Sequence, residues 1–220
     1  MKKWQVFISY SHRDALEVAS KVEQSLDHLY WADVLVDTFM LGEAGNLSEY
    51  VSRIENCNEF IVICTARSKK SWWVGFECGL AMKSMGSGHI WPVQGDASSS
   101  FSELIRDLQI GTRIAANDNL VQYLKGVATK INGNIREYLQ SAFGRVVEGR
   151  KVKVVNEYPG EITRLSSQIE WDEEREACVG RELQVISKVP GNKMLIVLEG
   201  SSAYWPIEWV EVDLVSQTSG

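Results

Sequence analysis

The chain has 220 residues, of which 45% are hydrophobic and 24% are charged, and its formal net charge is −6. These proportions are typical of a globular protein with one large domain or two smaller ones. The acidic balance argues against a general nucleic-acid binder, which needs a basic surface to attract phosphates. No apolar run approaches the ~20 residues of a membrane-spanning helix, so we expect no contact with a membrane.

The cysteines and histidines are scattered along the chain. None of the four cysteines belongs to a CxxC pair, and the three histidines are not grouped with them. We therefore expect neither a metal site nor a disulfide framework. The start of the chain, MKKWQVFISYSHRD, is expected to be a folded strand and not a signal peptide, which favours a cytoplasmic protein.

The first two-thirds of the sequence alternates apolar runs with amphipathic stretches. The runs at 4–10, 34–37, 59–65 and 89–93 predict strands, and the stretches between them predict helices. The first helix carries an apolar face of Leu16, Ala19, Val22, Leu26 and Leu29, and the second one of Leu47, Val51 and Ile54. Residues 118–143 predict one long helix or two short ones. The order β-α-β-α-β-α-β predicts a parallel sheet with helices on both faces.

The pattern changes near Gly144. Residues 149–156, 182–189 and 193–200 alternate with period two, and Pro190–Gly191 predicts a hairpin turn between the last two. We therefore predict a small all-β module at 149–214, followed by a disordered tail at 215–220.

Polar residues follow three of the predicted strands. In a parallel α/β sheet, ligands bind beyond the carboxyl ends of the strands, so these residues are expected to converge on one cleft. They are Ser9, Tyr10, Ser11, His12, Arg13 and Asp14 after the first strand, Asp37 after the second, and Ser68, Ser71, Trp73 and Glu77 after the third.

Three segments in this order resemble a bacterial TIR (Toll/interleukin-1 receptor) domain over residues 1–145. They are VFISYSHRD, VLVDTFMLGEAGNLSEYVSRI and SKKSWWVGFECGLAM. In the third, Ser71, Trp73, Val74 and Glu77 match the Ser-x-Trp-Val-x-x-Glu pattern of the family. The resemblance implies a flavodoxin-like parallel sheet. The loop after Asp37 departs from the family, because it lacks the proline and the Gly-Asp/Glu-Ser-Leu sequence of many relatives.

The resemblance also implies an activity. Enzymatic members of the family are NAD⁺ nucleosidases, which cleave the bond between nicotinamide and ribose to give ADP-ribose or a cyclic product. It implies that Glu77 is the catalytic carboxylate and that NAD⁺ is the substrate, with no separate cofactor. The implied substrate-binding residues are Ser9, Tyr10, Ser11, Arg13, Asp37, Ser71 and Trp73. The implied role is an anti-phage immune effector or signalling enzyme that self-associates through TIR–TIR contacts.

Other interpretations stay open at this point. Glu77 is alternatively an ordinary charge that favours the positive end of a helix, and the protein is alternatively a non-catalytic scaffold or a nucleoside-processing enzyme. Asp37 either ends a strand or caps a turn, and Asp14 is expected to cap the first helix. Of Trp72 and Trp73, one is expected in the core and one in the cleft.

The C-terminal module resembles an SH3-like barrel. It holds Trp171, Trp205 and Trp209, which either fill its core or form a surface for a protein or ligand that triggers the enzyme. An aromatic groove beside acidic residues would suit a basic or Pro-rich peptide.

Overall fold

The computed structural model describes residues 3–27, 29, 32–36, 47–95, 120–154 and 172–211. The chain divides into two compact units. One is Trp4–Ile131, and the other is Asn132–Gly220 with the first three residues. No helix in the described ranges is both long enough and apolar enough to cross a membrane.

The first unit is built on a parallel sheet. Its elements are β1 (Trp4–Ser9), α1 (Leu16–Leu26), β2 (Ala32–Val36), α2 (Leu47–Glu55), β3 (Glu59–Cys64), α3 (Trp72–Met85), β4 (Ile90–Gln94) and α4 (Leu120–Arg145), which runs on past Ile131. The strand order is β2-β1-β3-β4, and every pair is parallel. The predicted fold class is thereby confirmed, and residues 118–143 give one helix.

This strand order creates a switch point between β1 and β3. The chain leaves β1 for β2 on one side and then crosses back to β3 on the other. Crevices for ligands form at such a point, beyond the carboxyl ends of the two strands. Ser9 is the last residue of β1, and the segment after β3 leads into α3. The topology therefore brings the end of β1 and the start of α3 to one place.

The sheet packs against α2 and α3 through an aromatic core. Phe7 of β1 stacks on Phe60 of β3 with ring centroids 5.8 Å apart, and Tyr50 of α2 meets the Phe7 ring edge-on at the same distance. All six residues of β3 are buried, which accounts for its uninterrupted apolar sequence after Glu59. Burial of this kind of surface is the main stabilising contribution to folding.

A buried carboxylate lies at the amino end of β3. Glu59 is fully buried, and it accepts hydrogen bonds from the indole N–H groups of Trp4 (3.2 Å) and Trp91 (2.7 Å). Its Oε1 also lies 3.2 Å from Nδ1 of His89. Because Trp4 belongs to β1 and Trp91 to β4, one side chain connects three neighbouring strands.

The start of α1 differs from the prediction. The helix begins at Leu16, its N-cap residue is Ala15, and no side chain makes the capping hydrogen bond. The backbone N–H of Asp14 instead donates to the carbonyl of Ser11 in the preceding turn. The prediction that Asp14 caps the helix is wrong, because Asp14 belongs to that turn.

The second unit contains an antiparallel sheet. Its elements are β5 (Lys151–Val154), a one-turn helix α5 (Glu173–Glu176), β6 (Glu182–Lys188), β7 (Leu195–Leu198), β8 (Tyr204–Pro206) and β9 (Val210–Glu211). The order is β8-β7-β6-β5-β9, so the first strand lies beside the last. Strands β6 and β7 form the predicted hairpin, and Gly191 in its turn has a φ of 77°, which favours glycine. The separate β-rich module is confirmed, and its likeness to an SH3-like barrel stays a prediction.

Two tryptophans of this unit lie against a buried arginine. Trp205 and Trp209 are fully buried, so they fill the core, while Trp171 lies outside the described residues. The Arg175 guanidinium lies 5.7 Å and 5.6 Å from the two ring centroids. It donates to the Asp172 carboxylate and, at 2.9 Å, to the carbonyl of Tyr204. The cation thus has both aromatic faces and acceptors to offset its loss of water.

Replacing Glu59 by glutamine is expected to destabilise the first unit by about 1–3 kcal/mol, measured by urea unfolding. An indole N–H only donates, so the new amide NH₂ would face a donor wherever it points. The matched control is Glu55→Gln, which removes an exposed carboxylate 3.2 Å from Lys83 and should change stability by less than about 0.5 kcal/mol. Equal stability of the two variants would contradict a structural role for Glu59.

Replacing Arg175 by lysine is expected to lower the stability of the second unit by about 1–3 kcal/mol. An ammonium group cannot reproduce the planar fork that reaches Asp172, the Tyr204 carbonyl and both indole rings. Thermal unfolding followed by tryptophan fluorescence would measure the change. Arg181→Lys, at an exposed position, is the control. An unfolding temperature shared by both variants would count against this role of Arg175.

Candidate active site

Glu77 lies in the second turn of α3. The helix starts at Trp72 because the hydroxyl of Ser71 accepts a hydrogen bond from the backbone N–H of Val74 at 3.3 Å, which is N-cap geometry. Glu77 is therefore beyond the first turn, and its side chain is fully buried. The interpretation of Glu77 as an ordinary charge in the first turn of a helix is wrong, because Glu77 lies in the second turn and favourable effects of the helix dipole are confined to the first.

Two hydroxyl groups hold the Glu77 carboxylate. Ser9 donates through Oγ to Oε2, and Tyr50 donates through its phenolic oxygen to Oε1. Ser9 is fully buried and Tyr50 is 6% exposed. The end of β1, the middle of α2 and the second turn of α3 therefore meet at one carboxylate, at the switch point of the sheet.

Aromatic residues lie near Glu77 in the sequence, and one of them packs on Tyr50, a donor to its carboxylate. The Trp73 ring is partly buried, with its centroid 5.4 Å from that of Tyr50 and 5.6 Å from that of Phe76. Trp72 lies edge-on to Trp73 at 5.1 Å, and it is 75% exposed. Trp73 therefore packs inward and Trp72 is largely exposed, so neither tryptophan is fully buried in the core, and which of the two lines a cleft stays a prediction. Apolar surroundings of this kind strengthen any electrostatic interaction that the carboxylate makes.

The other predicted site residues lie around the same switch point. Tyr10 and Ser11 follow β1 and are buried, and the Tyr10 ring stacks on His12 with centroids 4.9 Å apart. Arg13 is exposed in the following turn. The hydroxyl of Ser71 is engaged in capping α3. Asp37 lies outside the described residues. Roles in substrate binding stay predictions for all of these residues, and also for Ser9 and Trp73.

Sequence reasoning missed Tyr50. It assigned the buried face of α2 to Leu47, Val51 and Ile54, whereas the structure buries Tyr50 and Ile54 and leaves Leu47 57% exposed. A signal was present, because Tyr50 and Ile54 are four residues apart and therefore share a helix face. An aromatic residue with a hydroxyl group on that face indicates a buried polar partner.

The four cysteines are buried in this structure, and none of them forms a disulfide bond. Burial, and secondarily the charge of Glu77, raises the pKa of Cys78 to about 12, and burial together with Glu59 raises that of Cys57 to about 12. Cys78 is therefore a small core residue despite its position next to Glu77. Within the described ranges, no three His, Cys, Asp or Glu side chains are grouped so as to hold a metal ion.

Comparison with known proteins identifies the family. The family model of the TIR domain matches residues 6–119. The chain belongs to the TIR domain family. TIR domains include NADases, and they commonly self-associate.

A solved structure similar to this chain is a diflavin flavoprotein A3 from Nostoc sp.. It is 12% identical and has a TM-score of 0.40, with 63% of this chain and 99% of that chain covered. These values are too low to transfer any property of the flavoprotein. No curated protein matches the chain.

The raised pKa of Cys57 and of Cys78 predicts slow alkylation of the folded protein. Iodoacetamide reacts with the thiolate, and both groups stay protonated until the pH approaches about 12. We expect peptide mass spectrometry to find both residues unmodified at about pH 8.5, an ordinary thiol pKa, and fully modified in guanidinium chloride.

The same shifts contribute to stability. Because the folded pKa of these thiols is raised, their contribution is complete below about pH 8.5 and is lost as the pH rises towards about 12. Rapid alkylation of Cys78 in the folded protein would show that this residue is more accessible than the structure indicates.

Proposed function

We propose that this TIR protein is an NAD⁺ nucleosidase and that Glu77 is its catalytic carboxylate. The observation that supports the proposal best is the position of Glu77, a buried carboxylate at the switch point of a parallel sheet, where ligands of this architecture bind. The family adds to this support, since it includes NADases.

The chemistry needs one carboxylate. The bond between the nicotinamide nitrogen and the ribose carbon breaks with its electron pair going to the nitrogen, so nicotinamide departs neutral and no general acid is required. Positive charge develops on the ribose as in the oxocarbenium-like state of glycoside hydrolysis. Glu77 stabilises this charge and binds a ribose hydroxyl. Water then attacks the ribose carbon and loses a proton to give ADP-ribose, or the adenine ring attacks to give a cyclic product.

The remaining site residues bind the substrate in this proposal. The turn of Ser9, Tyr10, Ser11 and Arg13 contacts the ribose or the diphosphate through hydroxyls, backbone amides and one guanidinium. Trp73 offers an aromatic face to the nicotinamide or the adenine, and the hydrophobic neighbours exclude water from the reacting bond. Asp37 and Ser71 complete the predicted set.

A scaffold is the second candidate, and one observation favours it. Glu77 is fully buried with a hydroxyl donor on each of its two oxygens, which is how a purely structural carboxylate is satisfied. A TIR scaffold works by self-association and needs no substrate at this carboxylate. A nucleoside-processing enzyme would use the same glutamate, and competition between NAD⁺ and free nucleosides distinguishes it.

The biological role of the nucleosidase is proposed as that of an anti-phage effector or signalling enzyme in the bacterial cytoplasm. Self-association through TIR–TIR contacts would complete the site, and the C-terminal module would receive a protein or ligand trigger. The acidic net charge of −6 argues against nucleic acid as a partner of the protein.

Replacing Glu77 by glutamine tests the function. The purified full chain, at high concentration, is incubated with NAD⁺, and nicotinamide, ADP-ribose and cyclic ADP-ribose are separated by chromatography. We expect the variant to release nicotinamide at least about 100-fold more slowly, because the carboxylate charge is lost. The variant should still fold, since the hydroxyls of Ser9 and Tyr50 can accept from an amide as well as donate to it.

The control is Glu55→Gln, an exposed carboxylate-to-amide change elsewhere on the same unit, which should leave the rate unchanged. Urea unfolding of all three proteins verifies that each is folded. Nicotinamide release by the folded Glu77→Gln variant at the wild-type rate would refute the role of Glu77. A wild-type protein that releases none, even under conditions where it self-associates, would leave the scaffold as the better account.

A further inference from the structure

The contact between Tyr50 and Glu77 has a consequence for the proposed reaction. A ribose hydroxyl must reach the carboxylate, yet Glu77 is fully buried and Tyr50 donates to its Oε1. Tyr50 comes from α2, 27 residues away in sequence, and not from β1 or α3, which supply Ser9 and Glu77. In the free protein, a side chain of the chain itself therefore satisfies an oxygen that the substrate needs.

We infer that Tyr50 is a positioning residue whose hydroxyl occupies the place of a substrate ribose hydroxyl on Glu77, and that NAD⁺ binds by exchanging one for the other. The inference rests on the proposed function. The chemistry of the two donors matches, since each is a neutral O–H group that gives one hydrogen bond to a carboxylate oxygen. The exchange keeps the buried charge satisfied before and after binding, which a buried carboxylate requires.

The hydroxyl of Tyr50 can be removed without losing the packing of its ring. The ring lies edge-on to Phe7 at 5.8 Å and next to Trp73 at 5.4 Å. Phenylalanine keeps both of these contacts and removes one donor from Glu77. The Tyr50→Phe variant therefore removes one hydrogen bond to the Glu77 carboxylate and leaves the aromatic core in place.

Exchange makes a specific kinetic prediction. In the wild type, binding of NAD⁺ costs the hydrogen bond from Tyr50, while in Tyr50→Phe that cost is absent and the carboxylate has one donor fewer in the free state. The KM of the variant should fall by roughly tenfold, and kcat should stay within about twofold, because in neither protein does a hydroxyl at position 50 contact the carboxylate during the reaction. A merely structural tyrosine would give the opposite result, a raised KM or a lowered kcat.

Tyr123→Phe is the matched control. Tyr123 lies in the same unit, is partly buried, and donates its hydroxyl to the carbonyl of Pro92 at 2.8 Å. The variant loses one hydroxyl and one hydrogen bond with no change at Glu77. Its KM and kcat should equal those of the wild type.

A binding measurement separates this inference from the proposed function. Calorimetric titration with ADP-ribose, which keeps the ribose and needs no turnover, is carried out on wild type, Tyr50→Phe, Glu77→Gln and the double variant. We expect Tyr50→Phe to tighten binding about tenfold when residue 77 is glutamate. The gain should be much smaller when it is glutamine, since a hydrogen bond to a neutral group is weaker.

The outcomes are distinct. Tighter binding of ADP-ribose without any release of nicotinamide would support the exchange and refute the nucleosidase. Release of nicotinamide that depends on Glu77, with an unchanged or raised KM in Tyr50→Phe, would support the nucleosidase and overturn the exchange. No binding of ADP-ribose by wild type or by Tyr50→Phe at millimolar concentration would overturn the exchange, and nicotinamide release alone would then decide the nucleosidase.

Discussion

A buried charge must be satisfied by hydrogen bonds, and this constraint organises the TIR unit. Among its described residues two carboxylates are buried, Glu59 at the amino end of β3 and Glu77 in the helix that follows the carboxyl end. A carboxylate without donors in an apolar surrounding is so unfavourable that it would not persist as a charge. Each one therefore fixes the elements that supply its donors. Glu59 fixes β1 and β4 through two indole groups, and Glu77 fixes the end of β1 and helix α2 through two hydroxyls.

The two carboxylates differ in what their donors permit. The indole groups at Glu59 are large rings on paired strands, and an N–H group can only donate. Displacing either ring would disturb the sheet itself, so Glu59 is suited to a structural role. The hydroxyls at Glu77 belong to one small side chain and to one ring on a helix. A hydroxyl group can turn away, donate or accept, which suits a carboxylate that exchanges partners.

Much of the fold could be predicted from the sequence because its signals are local. The apolar runs at 4–10 and 59–65 gave β1 and β3, and the alternation after Gly144 indicated the antiparallel module, with the hairpin turn at Pro190–Gly191. The start of α1 was predicted less well. Aspartate is a residue type that often caps helices, but the backbone N–H of Asp14 is bonded in a turn to Ser11. Whether this turn or a cap forms depends on how the chain leaves β1.

For the candidate site too, some residues were predicted from the sequence and others were missed. Glu77 and Ser9 could be found because each lies in a segment with a family pattern, and topology predicts that strand ends converge. Tyr50 also lies in one of these segments, but it was missed, because the buried face of α2 was predicted from aliphatic residues alone and its partner is 27 residues away. The rotation of α2 about its axis depends on this contact and on the packing of Tyr50 against Phe7. Both are contacts with other elements, which the spacing of residues within α2 does not identify.

The burial of Glu77 and its proposed catalytic role are compatible if the partner exchange is nearly balanced. A substrate that brings its own hydroxyl replaces the hydrogen bond that it breaks, so the net cost of opening the site is that of moving Tyr50 and not that of exposing a bare charge. A guanidinium partner, such as Arg175 is for Asp172 in the other unit, would demand a far larger compensation, since it adds the attraction of an opposite charge that a neutral substrate hydroxyl cannot replace. A neutral hydroxyl donor thus satisfies the carboxylate in the free protein and can still be displaced by the substrate. An ion pair in the same place would have made Glu77 a structural residue only.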